Sequence, residues 1–196
     1  MQLEEKQART AHVFDVVAEG YDREVLRFFP FSADRMIEIL RPLSGWRVLD
    51  VATGTGVAAL SAARLIAPEG RVPGIDISSG MLDQAFANIQ RARLNNIDLH
   101  EMDAMDLEFR SDYFDALMCS FGIFFLPDMQ QALRGWQRVM KPGAPIVLTT
   151  FAEDAFEPLM SNFLEHLRAE LPDFDLGALQ HVGSELACEE LLREAG

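Results

Sequence analysis

The chain has 196 residues, 49% hydrophobic and 24% charged, with 17 basic against 31 acidic side chains and a formal net charge of −14. That length predicts one domain with a sizeable core. The charge argues against nucleic acid or anionic lipid as a partner, because Arg91 and Arg93, the nearest approach to a basic cluster, fall on the outer face of a predicted helix.

The N-terminus, MQLEEKQART, carries no apolar segment of signal-peptide type. No run approaches the roughly 20 apolar residues of a membrane span. Cys119 and Cys188 lack metal-type spacing and read as reduced thiols of a cytoplasmic protein; no metal site is expected.

Residues 8–41 read as short helical pieces rich in aromatics: Phe14, Tyr21, Phe28, Phe29 and Phe31. From Trp46 a regular alternation begins. Arg47 to Ala52 is a β-branched, apolar strand, and a helix runs from about Val57 to Ala67. Arg71 to Ile77 is a second strand, in which Pro73 removes a ladder donor and predicts a bulge or an unpaired carbonyl. The next helix buries Met81, Ala85, Ile89 and Ala92. Ile97 to Met102 is a third strand, and Phe114 to Phe121 (FDALMCSF) a fourth, buried on both faces. Pro127 and Asp128 open a helix with Met129, Ala132, Leu133, Trp136 and Met140 on one side; Pro142 and Gly143 stop it. Pro145 to Phe151 is a fifth strand. Residues 152–195 read as helices broken around LPDFD (171–175).

This rhythm implies right-handed βαβ units and a mainly parallel sheet covered on both faces, an α/β three-layer sandwich of Rossmann type. Ligands bind such sheets at the carboxyl ends of the strands. The flanking helices are either padding or a lid. The division taken is a helical cap (1–45), a cofactor-binding core (46–151) and a lid with a last helix (152–196), within one domain.

Three strand ends carry chemistry. In VLDVATGTG, Gly54 and Gly56 sit where a strand turns into a helix and let a ligand approach the backbone. Gly54-x-Gly56-x-x-Ala59 also satisfies the dinucleotide fingerprint of NAD enzymes. In GIDISSGML, Asp76 can accept from both ribose hydroxyls, or serve as a helix cap that Ser78 or Ser79 would supply equally well. Asp50, inside the first strand, is costly to bury unless it organises the loop or faces a cationic ligand. Asp103, in EMDAMDLEF, suits an adenine amino group or a turn.

Together these motifs, with YFDALMCSFGIFFLPD and RVMKPGAPIVL, resemble the class I S-adenosylmethionine-dependent methyltransferases. The likeness is to the small-molecule branch that includes the ubiquinone/menaquinone C-methyltransferases, and it spans roughly residues 13–151. The resemblance implies strand order 3-2-1-4-5 and S-adenosylmethionine as cofactor, with S-adenosylhomocysteine as product. It implies that Asp50 supports the loop and that Ala52, Thr53, Gly54, Thr55 and Gly56 surround the methionine moiety. Asp76 would hold the ribose, Ile77 and Met81 would flank the adenine, and Asp103 and Ala104 would meet its edge. Ser120 and Phe121 would lie near the transferred methyl. VFDVVAEGYD resembles the branch's N-terminal signature, which assigns Tyr21 to the cofactor's carboxylate end.

The family's antiparallel C-terminal hairpin is expected to be missing after LLREAG, whether by truncation or as a short form. The expected activity is methyl transfer to a small hydrophobic or aromatic acceptor. An NAD-dependent oxidoreductase and a non-catalytic S-adenosylmethionine-binding module, dimerising through its lid as a homodimer, remain the alternatives. No general base stands out: His12, His166 and His181 fall on flanking helices and His100 within the third strand.

Overall fold

The computed structural model describes residues 2–170 and 182–196. Its centre is a five-stranded, all-parallel sheet in the order β3-β2-β1-β4-β5. The strands are β1 (Val48–Val51), β2 (Val72–Asp76), β3 (Ile97–Glu101), β4 (Ala116–Ser120) and β5 (Ile146–Thr149). The helices are α1 (Gln2–Val17), α2 (Phe28–Leu40), α3 (Val57–Ile66), α4 (Ser79–Ala92), α5 (Met129–Val139), α6 (Leu159–Glu170) and α7 (Glu185–Ala195). The expected alternation is therefore present, each strand starting and ending within two residues of its predicted bounds. The LPDFD break and His181 lie outside the described residues. No described helix is long and apolar enough to cross a membrane.

Side-chain size explains how the layers fit. Helix α3 lies on the sheet through Ala58, Ala59, Ala62 and Ala63, all buried, and meets α2 through the cluster containing Ala33, Met36, Ile37 and Leu40. On the other face Phe114, Leu117, Leu133, Trp136 and Val139 form a second core. Asp128 caps α5 by accepting from the Gln131 N–H (2.8 Å). Helix α7 packs on α5, with the Gln137 side chain donating to the Gly196 carbonyl (2.9 Å).

Pro73 sits in an internal strand without a bulge. The β2–β3 register is continuous from Val72↔Ile97 to Asp76↔Glu101. On the β1 side, Arg47↔Arg71 is an isolated bridge and pairing resumes only at Asp50↔Gly74. Arg71 N–H donates to the Trp46 carbonyl and Val72 N–H to Asn96 on the opposite side, so position 73 faces β1, where proline has no donor. The cost is one missing ladder bond, taken at the start of the β1 strand and away from the strand ends that matter below.

At those ends the backbone is strained. The residues that follow β1 and β4, Ala52 and Phe121, are non-glycine residues with φ of 54° and 53°. Each such left-handed residue costs roughly 1–2 kcal/mol. Gly122, the residue after Phe121, lies tightly against the end of β1: a Cβ on it would lie 2.6 Å from Ala52 Cβ and 2.9 Å from Cys119 Sγ. Gly122→Ala is expected to lower stability by about 1–3 kcal/mol through overpacking. Ala52→Gly, which removes one of the two colliding atoms and a strained left-handed residue, should recover part of the loss. Denaturant titrations of the two single variants and the double variant measure both effects, and a double variant no more stable than Gly122→Ala would contradict this packing.

Candidate active site

The chain runs β1, β2, β3 outward to one edge, then returns to place β4 on the other side of β1. The crevice at this reversal is where open α/β sheets bind ligands. A cavity of about 410 Å³ lies there.

Its floor is the loop from β1 to α3. Thr53 donates from Oγ1 to Asp50 Oδ2 (2.6 Å), and the Gly54 N–H donates to Asp76 Oδ2 (2.8 Å). Gly56 takes φ 83° to start α3, and a Cβ there would press on Ala85 of α4 (3.3 Å). Gly54 differs: with φ 54°, a Cβ would meet nothing within 4 Å, so its exposed side is open cavity. Gly74 gives Thr53 its seat, since a Cβ there would lie 3.0 Å from the Thr53 hydroxyl.

Asp76 is not needed as the α4 cap, because Ser78 fills that role by accepting from the Met81 N–H (3.1 Å). The carboxylate instead accepts from Gly54 and Ser78 N–H groups, and burial raises its pKa. Asp103 is a turn residue that also lines the cavity. Oδ1 accepts from the Met105 N–H (2.8 Å) as a turn residue, while Oδ2 faces the cavity and accepts from Gln7 Nε2 (2.6 Å). The loop behind it is held by α5: Trp136 Nε1 donates to the Ala104 carbonyl (2.7 Å), and Arg138 donates to the carbonyls of Leu107 and Phe109.

Opposite the carboxylates stands an aromatic wall. Phe14 meets Phe125 edge-on (5.0 Å between centroids), Tyr21 stacks on Phe29 (5.2 Å), and Phe29 meets Phe121 (5.3 Å). Phe28 and Phe151 pack behind Phe121. The aromatics of the N-terminal segment and of FGIFFL thus divide between lining and backing, except Phe31, which is exposed. Burial, then the charge of Asp76, pushes the Tyr21 hydroxyl up to about 12, which leaves it a donor and unsuited as a base.

Of the predicted site residues, Tyr21, Ala52, Thr53, Gly54, Thr55, Asp76, Ile77, Met81, Asp103, Ala104, Ser120 and Phe121 line this cavity. Asp50 and Gly56 do not. Asp50 is wholly buried beneath the loop, so it acts on the cavity through Thr53 and meets no ligand itself. The lid also differs in origin. Among the described residues, α1 and the turns after it cover the cavity, and neither α6 nor α7 contributes a lining residue.

Sequence reasoning missed how α1 is held. Asp15 Oδ1 accepts from Ser78 Oγ (2.6 Å) and from the Gly80 N–H (2.9 Å), which lowers the Asp15 pKa. Asp22 accepts from Thr55 Oγ1 (2.6 Å) and Asn88 Nδ2 (2.7 Å). Asp15 and Asp22 both stand in VFDVVAEGYD, but Asp22 lies in the turn beyond the end of α1, so helical periodicity could not pair them. No histidine lines the cavity among the described residues; His100 packs on Phe109 and His166 bonds its own helix. Among the described residues there is no group of His, Cys, Asp and Glu fit to hold a metal ion.

A sheet in this order, with an open glycine loop at its reversal and carboxylates ending the next two strands, defines an enzyme of the S-adenosylmethionine-dependent methyltransferase class. The chain belongs to the ubiE/COQ5 methyltransferase family, whose model matches residues 2–179. It is 33% identical over 177 residues to aklanonic acid methyltransferase DauC of Streptomyces sp. strain C5, covering 85% of this chain and 80% of that protein. It is 31% identical over 175 residues to a demethylmenaquinone methyltransferase of Listeria welshimeri, covering 87% of this chain and 74% of that one. A solved S-adenosylmethionine-dependent methyltransferase of Aquifex aeolicus shares the fold, with TM-score 0.73 at 19% identity over 93% of this chain and 87% of the other. The family match reaches well beyond the 13–151 span that the motifs marked.

Burial raises the Asp50 pKa to about 7, against a smaller opposing effect of the Thr53 hydroxyl. The folded chain therefore keeps this proton where the unfolded chain has lost it. Stability from this group is full below the ordinary carboxylate range, falls as pH rises, and levels off above about 7. Asp50→Asn lacks that slope. Its stability relative to the unchanged protein is expected to rise between pH 4 and 7 by about 2–4 kcal/mol, measured by denaturant titration at each pH. A difference that stays constant with pH would show that Asp50 titrates normally.

Proposed function

We propose that this methyltransferase acts on a small acceptor with a flat aromatic or quinol-type ring, bound against Phe14, Phe29, Phe121 and Phe125. The observation that carries this reading is the aromatic wall facing the strained ends of β1 and β4. The names of its relatives support the same class, one a demethylmenaquinone methyltransferase and another an aklanonic acid methyltransferase.

The cavity's polar groups fit the cofactor: an open glycine for close approach, a buried carboxylate to accept from the ribose and a second to accept from the adenine amine. When bound, S-adenosylmethionine supplies a methyl group already activated on a sulfonium. The chain's own work is then alignment and exclusion of water. Asp76 accepts from the ribose hydroxyls while holding Gly54, Ile77 and Met81 flank the base, and Asp103 accepts from the amine. Thr53, Gly54 and Thr55 meet the methionine portion, with Tyr21 donating to its carboxylate. Ser120 and Phe121 border the acceptor. Orientation of this kind is worth about 7–11 kcal/mol of the barrier, so no buried base is required for an acceptor that is already nucleophilic.

Asp76→Ala is expected to weaken S-adenosylhomocysteine binding by about 1–3 kcal/mol in isothermal titration. Undiminished affinity in a folded variant would remove the ribose assignment. Phe29→Ala is expected to lower kcat/KM for a naphthoquinol acceptor about three- to tenfold while S-adenosylhomocysteine affinity holds. If the wall is only core, the variant instead loses stability and keeps kcat/KM.

A further inference from the structure

Helix α1 is held very differently at its two ends. Its C-terminal end and the following turn are tied down by Asp15 to Ser78 and Gly80, and by Asp22 to Thr55 and Asn88. A Cβ on Gly80 would lie 3.1 Å from the Asp15 Cα, so the two helices already touch at that end. Toward the N-terminus, the one side-chain bond from α1 to the rest of the fold among the described residues is Gln7 Nε2 to Asp103 Oδ2, at 2.6 Å. Gln7, Thr10 and Phe14 follow one another at helical spacing and all line the cavity.

The other Asp103 oxygen is occupied by the Met105 N–H. The oxygen facing the cavity is therefore the one left for a ligand, and a planar, neutral NH₂ donor already sits on it. The exocyclic amine of adenine is the same kind of donor: planar, neutral and aimed in the same way at a carboxylate.

We propose that Gln7 is the internal stand-in for the adenine amine, exchanged for it when the cofactor binds, so that cofactor binding frees the N-terminal turns of α1 while Asp15 and Asp22 keep its C-terminal end in place. The proposal rests on the reading of Asp103 as the adenine acceptor. Exchange of one neutral donor for another leaves the half-buried carboxylate partnered in both states, so neither state gives up its hydrogen bond. Phe14 stands next to Asp15 on the anchored part of the helix and touches Phe125 and Tyr21, so the aromatic wall keeps its place while Gln7 leaves the cofactor side.

The test compares the full chain with Gln7→Ala by isothermal titration, using S-adenosylhomocysteine and its 6-oxo analogue S-inosylhomocysteine. Removing the competitor should tighten S-adenosylhomocysteine binding about three- to tenfold. The analogue, which has no amine to take the place of Gln7, should bind both proteins equally. Hydrogen exchange supplies a second readout: saturating S-adenosylhomocysteine should speed exchange of the Lys6–Thr10 amides and leave those at the α1 C-terminus unchanged. Weaker binding by Gln7→Ala, or slower exchange at Lys6–Thr10, would make Gln7 a ligand of the cofactor and overturn the exchange. Equal affinities of the two proteins for S-adenosylhomocysteine would overturn it as well. If Gln7→Ala binds S-adenosylhomocysteine and its inosine analogue alike, the adenine role of Asp103 fails, and the exchange fails with it for that separate reason.

Discussion

The site depends on one hydrogen bond, from the Gly54 N–H after β1 to the Asp76 carboxylate at the end of β2 (2.8 Å). It joins the two strands where their ladder has ended and sets the direction in which the β1–α3 loop leaves the sheet. Thr53 is fixed from below by Asp50, and Gly74 leaves the space that Thr53 occupies. A buried carboxylate is expensive unless partnered. Asp76 meets that cost with backbone donors, and in doing so presents a preformed acceptor to the cavity.

Strain and charge are concentrated at the same place. Ala52 and Phe121 hold left-handed conformations at the ends of adjacent strands, and Asp50 lies under them with Oδ1 unpartnered. The surrounding sheet over-determines these choices: Val48, Leu49, Leu117 and Met118 are fully buried, so the strand ends have no freedom to relax. The missing Pro73 donor, by contrast, falls at the opposite end of the β1–β2 ladder, where its cost does not disturb the loop.

The cover over the cavity is held by polar contacts, and the sheet beneath it by apolar packing. Asp15 and Asp22 reach across to α4 and to the loop, and Gln7 reaches to Asp103. Such bonds contribute modestly and break individually. A cover attached in this way can part from the cavity without disturbing the core. The aromatic contacts of Phe14 and Tyr21 give it an apolar underside.

The sequence by itself determined the sheet, its helices and the loops that bear the site. Those features are local: apolar runs of strand length, helical spacing of Met81, Ala85 and Ile89, and glycines where a strand must turn. Asp76 and Asp103 were legible because they stand at strand ends in motifs of recognisable spacing. Only the tertiary structure decided that Asp50 points into the core, that among the described residues α1 and not α6 or α7 lines the cavity, and that Trp136 holds Ala104. The cover and the Trp136 bond depend on partners some thirty to a hundred positions away, as Trp136 meets Ala104 across 32 and Gln7 meets Asp103 across 96. Hydrophobic periodicity reports which face of an element is buried. It carries no information about the polar partner that face will meet.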